Sequence, residues 1–266
     1  MRRSKCAVER PYDLTNQELL EALIDPVRDA CRVIESIRAT GIKTETKSDQ
    51  SPVTQADQAA EDIIFAALQK LTPNMPRVGE EAFSLGFVPE DCGSTFWLID
   101  PIDGTRDFIS GGTSYTVNIA LVSNYYPVLG IVATPADGRI WLGAVDVPAQ
   151  LIEPDGSRER ISVRPQPEKP VVLMSRSHLD EATKNYVATL GDIEPFNIGS
   201  SLKFCVIAEG KADIYPRFGP TSEWDTAAGH AVLLGAGGTV TNPDGTAFTY
   251  GKQGFLNGPF IARGRK

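Results

Sequence analysis

The stretch Trp97-Leu98-Ile99-Asp100-Pro101-Ile102-Asp103-Gly104-Thr105 constrains this chain more than any other, because an apolar run ends in two carboxylates three positions apart. This is how a buried strand delivers hard oxygen ligands at its carboxyl end. Pro101 fixes its own φ between the two acids, and the carbonyl of Ile102 can point the same way as Asp100 and Asp103. Three oxygens then converge on one small volume. Such a cluster repels itself unless cations neutralise it, and Mg²⁺ or a similar hard ion prefers carboxylate, carbonyl and water oxygens. Gly104 and Thr105 add backbone N–H groups and a hydroxyl suited to an anionic ligand. Asp, Pro and Gly are also ordinary turn formers, so by itself the stretch reads equally well as a turn.

At 266 residues the chain can bury a full core, as one large domain or as two tightly joined lobes. Hydrophobic content of 41% and charged content of 23% are ordinary for globular chains and argue against disordered and fibrous classes. A net charge of −8 argues against a nucleic-acid or anionic-membrane surface. It leaves room for a small phosphorylated ligand, for which local charge decides. Cys6, Cys31, Cys92 and Cys205 have no short spacing to one another or to His178 and His230, so no zinc site is expected. Reduced thiols and a cytoplasmic home follow as the expectation. Basic residues near Met1 are followed by no apolar stretch, so neither a signal peptide nor stable membrane insertion is expected.

Thr15 and Glu18 form a capping-box pattern, and Leu19, Leu20, Leu23, Val27, Ala30, Ile34 and Ile37 recur at helical spacing up to Gly41. Pro26 inside this helix is expected to kink or divide it. Thr54 caps a second helix carrying Ala60, Ile63, Ile64, Ala67, Leu68 and Leu71, closed by Pro73. Runs at 96–99, 116–122, 128–133 and 140–145 read as a largely antiparallel sheet. The stretch from Pro148 to Pro170 carries many prolines and charges, and a lobe boundary is expected near its end, giving an N-terminal α+β lobe over 1–165 and a C-terminal α/β lobe over 166–266. In the latter, strand and helix patterns alternate at 171–174, 180–190, 196–198, 202–208, 213–215, 225–234 and 239–240.

Two further acidic sites stand out: Gly79-Glu80-Glu81, and Trp224-Asp225 ahead of the helical run that begins Thr226-Ala227-Ala228-Gly229. Read singly, a Glu pair is a solvated surface feature and an Asp before an Ala-rich helix is a cap. Taken with Trp97 to Thr105 and with Ala236-Gly237-Gly238, they resemble the inositol monophosphatase superfamily of metal-dependent, lithium-sensitive phosphatases. Lys47 to Asp57, Ser175 to His178, Gly199 to Phe204, Ala208 to Asp213 and Tyr215-Pro216-Arg217 look most like its bacterial 3'(2'),5'-bisphosphate nucleotidases. The resemblance implies a layered αβαβα sandwich, with a mostly antiparallel N-terminal sheet and a mixed C-terminal one. It also implies a role in sulfur metabolism, hydrolysing adenosine 3',5'-bisphosphate to AMP and phosphate. Chains of this kind occur as monomers and as homodimers.

Carried over residue by residue, the resemblance makes Glu80, Asp100 and the Ile102 carbonyl ligands of one Mg²⁺. Asp100, Asp103 and Asp225 then hold a second, in a site for two or three ions. Glu80, Asp57 and Thr105 become catalytic, the last two orienting and deprotonating a water. Read from its spacing to Thr54, Asp57 is instead a helix cap, and both roles together are expected. Gly104, Thr105, Gly199, Ser200 and Asp225 are expected to line the substrate. Lys203, Arg217 and His178 would supply cationic or hydrogen-bonding partners for a second phosphate and the base. Arg106-Asp107, where many relatives carry Lys-Glu, departs from the nucleotidase pattern and bears on substrate positioning. An inositol or fructose-1,6-bisphosphate phosphatase is the alternative enzyme, and a nucleotide-binding regulator the alternative outside catalysis.

Overall fold

The computed structural model describes residues 12–46, 52–175 and 180–265. The chain opens with α1 (Asn16–Thr40), capped by Thr15 and Glu18 in a reciprocal box. Pro26 lies inside α1 without dividing it, so of the two expected outcomes division does not occur. Its missing N–H leaves free the carbonyl of Ala22, an exposed residue that water can satisfy, while Leu23, Val27, Ala30 and Ile34 stay locked in one core. A short antiparallel pair follows, β1 (Thr44–Thr46) and β2 (Pro52–Thr54), and then α2 (Gln55–Leu71), capped by Thr54 and Asp57. Each such cap is worth roughly 1 kcal/mol.

The first large sheet has seven strands in chain order. They are β3 (Arg77–Gly79), β4 (Thr95–Asp103), β5 (Thr116–Ser123), β6 (Tyr126–Ala133), β7 (Ile140–Ala144), β8 (Val147–Ile152) and β9 (Arg158–Arg160). All neighbours are antiparallel except β3 with β4. Two short helices, α3 (Glu80–Ser84) and α4 (Thr105–Ile109), leave the ends of β3 and β4. The proline-rich stretch from Pro148 to Pro170 thus contains β9 and most of β8. Pro148 is tolerated in β8 because it sits at the irregular start of the strand, where no ladder partner needs its N–H.

The second sheet is mixed, in the order β11 (Glu194–Ile198), β10 (Val171–Ser175), β12 (Ile214–Arg217), β16 (Phe260–Arg263), β14 (Thr239–Thr241). Strand β16, absent from the sequence reading, runs antiparallel between its two neighbours. A two-stranded clip joins β13 (Thr221–Ser222) to β15 (Leu256–Asn257). The remaining helices are α5 (Glu181–Ala188), α6 (Leu202–Ala208) and α7 (Ala227–Gly235).

Three packed cores join five layers, the middle one filling the interfaces on both sides of α6 and α7, so the αβαβα sandwich expected from the resemblance is what the chain forms. Alternation along β4 divides its side chains: Trp97 and Ile99 face α1 and α2, while Phe96 and Leu98 face α6 and α7. By the same period Asp100 turns to the α6/α7 side, where the helices and the second sheet meet the strand end.

Candidate active site

Asp100 is 1% exposed at the end of β4, opposite Asn118 of β5, where a register shift ends the regular ladder. Both of its carboxylate oxygens are buried, and neither has a hydrogen-bond partner among the described residues. Burial, then the negative charges of Glu80, Asp103, Asp225 and Asp57, hold its carboxyl well above the usual carboxylate range. Burial also pushes Asp103 up to about 6, against the opposing pull of the Lys203 ammonium and the Ser201 backbone N–H. Asp225 is raised by burial and by Asp103 and Glu80. Four acids from three separate stretches of the sequence therefore share one electrostatic neighbourhood.

Each is held by something the local sequence does not announce. Glu80 begins α3, whose first turn is pinned by the buried carboxylate of Glu61: its oxygens accept the N–H of Glu81 at 3.0 Å and of Ala82 at 2.8 Å. Asp225 accepts the N–H of Ser222 at 2.9 Å. Beneath Asp103, a buried network joins Thr116, Asn118 and Ser201, with hydroxyls 2.8 Å apart and Ser201 donating to Asn118 Oδ1 at 2.6 Å. Sequence reasoning missed Glu61, Asn118 and Ser201. The one available signal, an acid at a helix position among apolar residues, is too common to single Glu61 out.

Asp57 caps α2, its Oδ2 accepting from Thr54 N at 2.8 Å and Thr54 Oγ1 at 2.7 Å. Its Oδ1 lies 3.2 Å from Thr105 Oγ1, which also lies 3.0 Å from the Ile102 carbonyl. The cap and the contact with Thr105 thus coexist, using different oxygens of one buried carboxylate. Thr105 has one hydroxyl proton for two acceptors, and its lone pairs remain open to a donor such as water.

Above the acids lies a cavity of about 760 Å³. Glu80, Asp103, Gly104, Thr105, Gly199, Ser200, Lys203, Arg217 and Asp225 all line it, together with Arg106, Asp107 and Leu256. Lys203 is buried, with Nζ donating to the Ser200 carbonyl at 2.6 Å and lying 5.0 Å from the centre of the Tyr215 ring. Burial lowers its pKa to about 8, with Asp103 opposing. Arg217 donates to the carbonyls of Gly219 at 3.2 Å and Pro220 at 3.0 Å, so part of the guanidinium fastens the cavity wall. His178 lies outside the described residues. His230 is buried against Tyr250, and Trp224 packs on Phe83 and Phe255.

Among the described residues no three His, Cys, Asp or Glu side chains form a ready-made metal cage. Glu80, Asp103 and Asp225 line the cleft instead, with Asp100 buried at the end of β4. The donor set nevertheless fits a hard cation. A buried carboxylate with no donor, among three others, is costly to ionise, and a divalent ion bound beside it would remove that cost.

A model described as the inositol monophosphatase family matches residues 15–264. The chain belongs to the inositol monophosphatase family. Within it, the 3'(2'),5'-bisphosphate nucleotidase CysQ of Escherichia coli K12 is 43% identical over 224 residues, covering 81% of this chain and 86% of that protein. The corresponding Buchnera aphidicola protein is 40% identical, with 83% of each chain covered. Among solved family structures, CysQ from Bacteroides thetaiotaomicron superposes with a TM-score of 0.80 at 34% identity over 96% of this chain and all of that one. A Thermotoga maritima inositol monophosphatase superposes at 0.76 with 26% identity, covering 92% and 91%. Among the described residues, no helix is long and apolar enough to cross a membrane.

Proposed function

We propose that the chain is a Mg²⁺-dependent phosphatase that converts adenosine 3',5'-bisphosphate to AMP and phosphate, in the cytoplasm and within sulfur metabolism. The observation that carries the metal half of this reading is the buried, donor-free carboxylate of Asp100 facing Glu80, Asp103 and Asp225. The substrate half is supported by the nucleotidase relatives and by two buried cationic side chains lining the cavity, Lys203 and Arg217.

Glu80, Asp100, Asp103, Asp225 and the Ile102 carbonyl would hold the ions. Bound there, Mg²⁺ supplies charge stabilisation for a phosphoryl group and a water far more acidic than bulk water. Thr105 orients the attacking water through its hydroxyl oxygen. Asp57 is held beneath it by the Thr54 N–H and hydroxyl, and its other oxygen accepts a hydrogen bond from the Thr105 hydroxyl. The proton lost by the attacking water can pass to Thr105 Oγ1 as the Thr105 hydroxyl proton passes to Asp57 Oδ1, so no covalent protein intermediate is needed. Gly104, Gly199 and Ser200 border the phosphoryl group, and Lys203 and Arg217, whose charges also reach Asp103 and Asp225, line the same cavity as partners for a second phosphate. A monophosphate of a neutral sugar has no use for such partners.

Comparison of kcat/KM for adenosine 3',5'-bisphosphate, inositol 1-phosphate and fructose 1,6-bisphosphate, with and without Mg²⁺ and Li⁺, tests this reading. A preference of tenfold or more for the nucleotide, about 1.4 kcal/mol of differential transition-state binding, is expected. Turnover should need Mg²⁺ and fall with Li⁺. Equal rates, or a preference for either sugar phosphate, assign the site to a sugar phosphatase. Nucleotide binding without phosphate release makes the chain a regulator.

A further inference from the structure

The turn that carries Asp225 is fastened from below by a segment near the end of the chain. Glu223, two residues before Asp225, is fully buried, and its carboxylate accepts the N–H of Gly251 at 2.7 Å and of Lys252 at 2.9 Å. The Lys252 ammonium lies 2.6 Å from the same carboxylate and sits over the faces of Phe248 and Tyr250. The Glu223 N–H donates to the Phe255 carbonyl at 2.7 Å. Two residues on, Asn257 donates to the Ser222 carbonyl at 2.7 Å, to Thr226 Oγ1 at 3.0 Å and to Thr221 Oγ1 at 3.2 Å. Ser222 in turn donates its N–H to Asp225.

The same segment touches the other side of the cleft. Phe255 holds a φ of 52°, a conformation a bulky residue adopts only when its surroundings enforce it. Its ring packs on Phe83 of α3 at 5.8 Å, on Phe96 at 6.1 Å and on Trp224 at 6.3 Å, and Trp224 meets Phe83 at 5.2 Å. Phe83 is one helical turn from Glu80. Residues 251–257 are thus joined to the Asp225 turn by a buried carboxylate and an amide, and to the Glu80 helix by aromatic packing. The Glu80 carboxylate disfavours the ionised form of Asp225, so bringing the two together as anions needs contacts that hold their spacing.

We propose that Glu223 is a positioning residue: by locking residues 251–257 beneath the 221–226 turn, it fixes the spacing of the Asp225 and Glu80 carboxylates and so sets the affinity for the divalent cation. The inference rests on the metal reading given above. A buried Glu bonded to two N–H groups and one ammonium could instead serve stability alone, so the test separates the two roles.

Glu223→Gln keeps the side-chain shape and one acceptor oxygen while losing the charge and one acceptor. In the full chain, calorimetric titration with Mg²⁺ is expected to show binding at least tenfold weaker than in the wild type. Its turnover should be recovered by raising Mg²⁺, with KM for adenosine 3',5'-bisphosphate at saturating Mg²⁺ within twofold of the wild-type value. Lys252→Met, which keeps both backbone hydrogen bonds, should shift the titration less. A Glu223→Gln protein with a lowered melting temperature and a wild-type Mg²⁺ isotherm overturns the proposal. If Glu223→Gln does not fold, Asn257→Ala is read in the same way, and an unchanged isotherm there overturns it equally. A wild-type chain that binds no divalent cation refutes the metal reading, and this inference falls with it.

Discussion

Replacing Gly79 by Ala adds a single methyl group and should cripple the site from outside it. A Cβ built on Gly79 falls 2.3 Å from Glu61 Oε2 and 2.5 Å from its carboxyl carbon, whereas ordinary contact begins near 3.4 Å. Glu61 cannot swing into water to relieve the clash, because it is 2% exposed and both oxygens hold N–H groups of α3. Two outcomes remain. If the carboxylate yields, two hydrogen bonds to a charged acceptor are lost at roughly 1.5–3 kcal/mol each, offset by about 0.4–1 kcal/mol from the stiffer unfolded chain. If the helix yields instead, Glu80 moves by about 1 Å, a misplacement that typically lowers activity about 100-fold. Urea unfolding and kcat/KM over a Mg²⁺ series read the two separately, and at least one must move by these amounts. Glu61→Ala combined with Gly79→Ala removes the clash, so the double variant should lose less than the sum of the single losses. A Gly79→Ala protein with wild-type stability and wild-type kcat/KM refutes the reasoning, since it would mean that Glu61 does not hold Glu80 in place.

Thr105→Val removes the hydroxyl shared by Asp57 and the Ile102 carbonyl at nearly constant volume, and kcat should fall by about 10²–10³-fold with KM little changed. Stopped-assay kinetics at saturating Mg²⁺ check this, and a fall confined to KM contradicts the role in the chemical step. His230 gives a pH signature: burial lowers its pKa to about 3, so between pH 6.5 and 3 the unfolded state takes up a proton that the folded state does not. Stability from this group is therefore lost as pH falls, by about 2 kcal/mol between pH 7 and pH 5. His230→Asn should lack that part of the acid sensitivity in urea titrations at the two pH values, and identical pH slopes would show that His230 is not held neutral.

Where a signal was local, the sequence carried it plainly. Thr15 with Glu18 and Thr54 with Asp57 cap their helices in the structure, because a capping box is complete within four residues. The 96–99 run alternates between two cores, which brings Asp100 to the side where the cleft lies. Where the determinant was a distant contact, the sequence was silent. Glu61 looks like one more polar helix residue until Gly79 is seen against its carboxylate, and Glu223 looks solvated until residues 251 and 252 close over it. Strands β8 and β9 were hidden by their prolines and charges, and β16 is only four residues long. Lys203 read as a free cation for phosphate, yet its ammonium also fastens the Ser200 carbonyl, a contact made inside one tight turn with φ of 52° at Ser200.

Everything in the proposed chemistry depends on Asp100 being a buried anion that a divalent cation completes. Thermal unfolding of the wild type and of Asp100→Asn, with and without Mg²⁺, measures that directly. Without Mg²⁺ the variant should be the more stable of the two, because it replaces a crowded carboxylate by a neutral amide of the same shape. Mg²⁺ at 100 times its Kd should stabilise the wild type by about 2.7 kcal/mol and leave the variant unmoved. Equal stabilisation of both proteins by Mg²⁺, or a variant less stable than the metal-free wild type, would contradict the account.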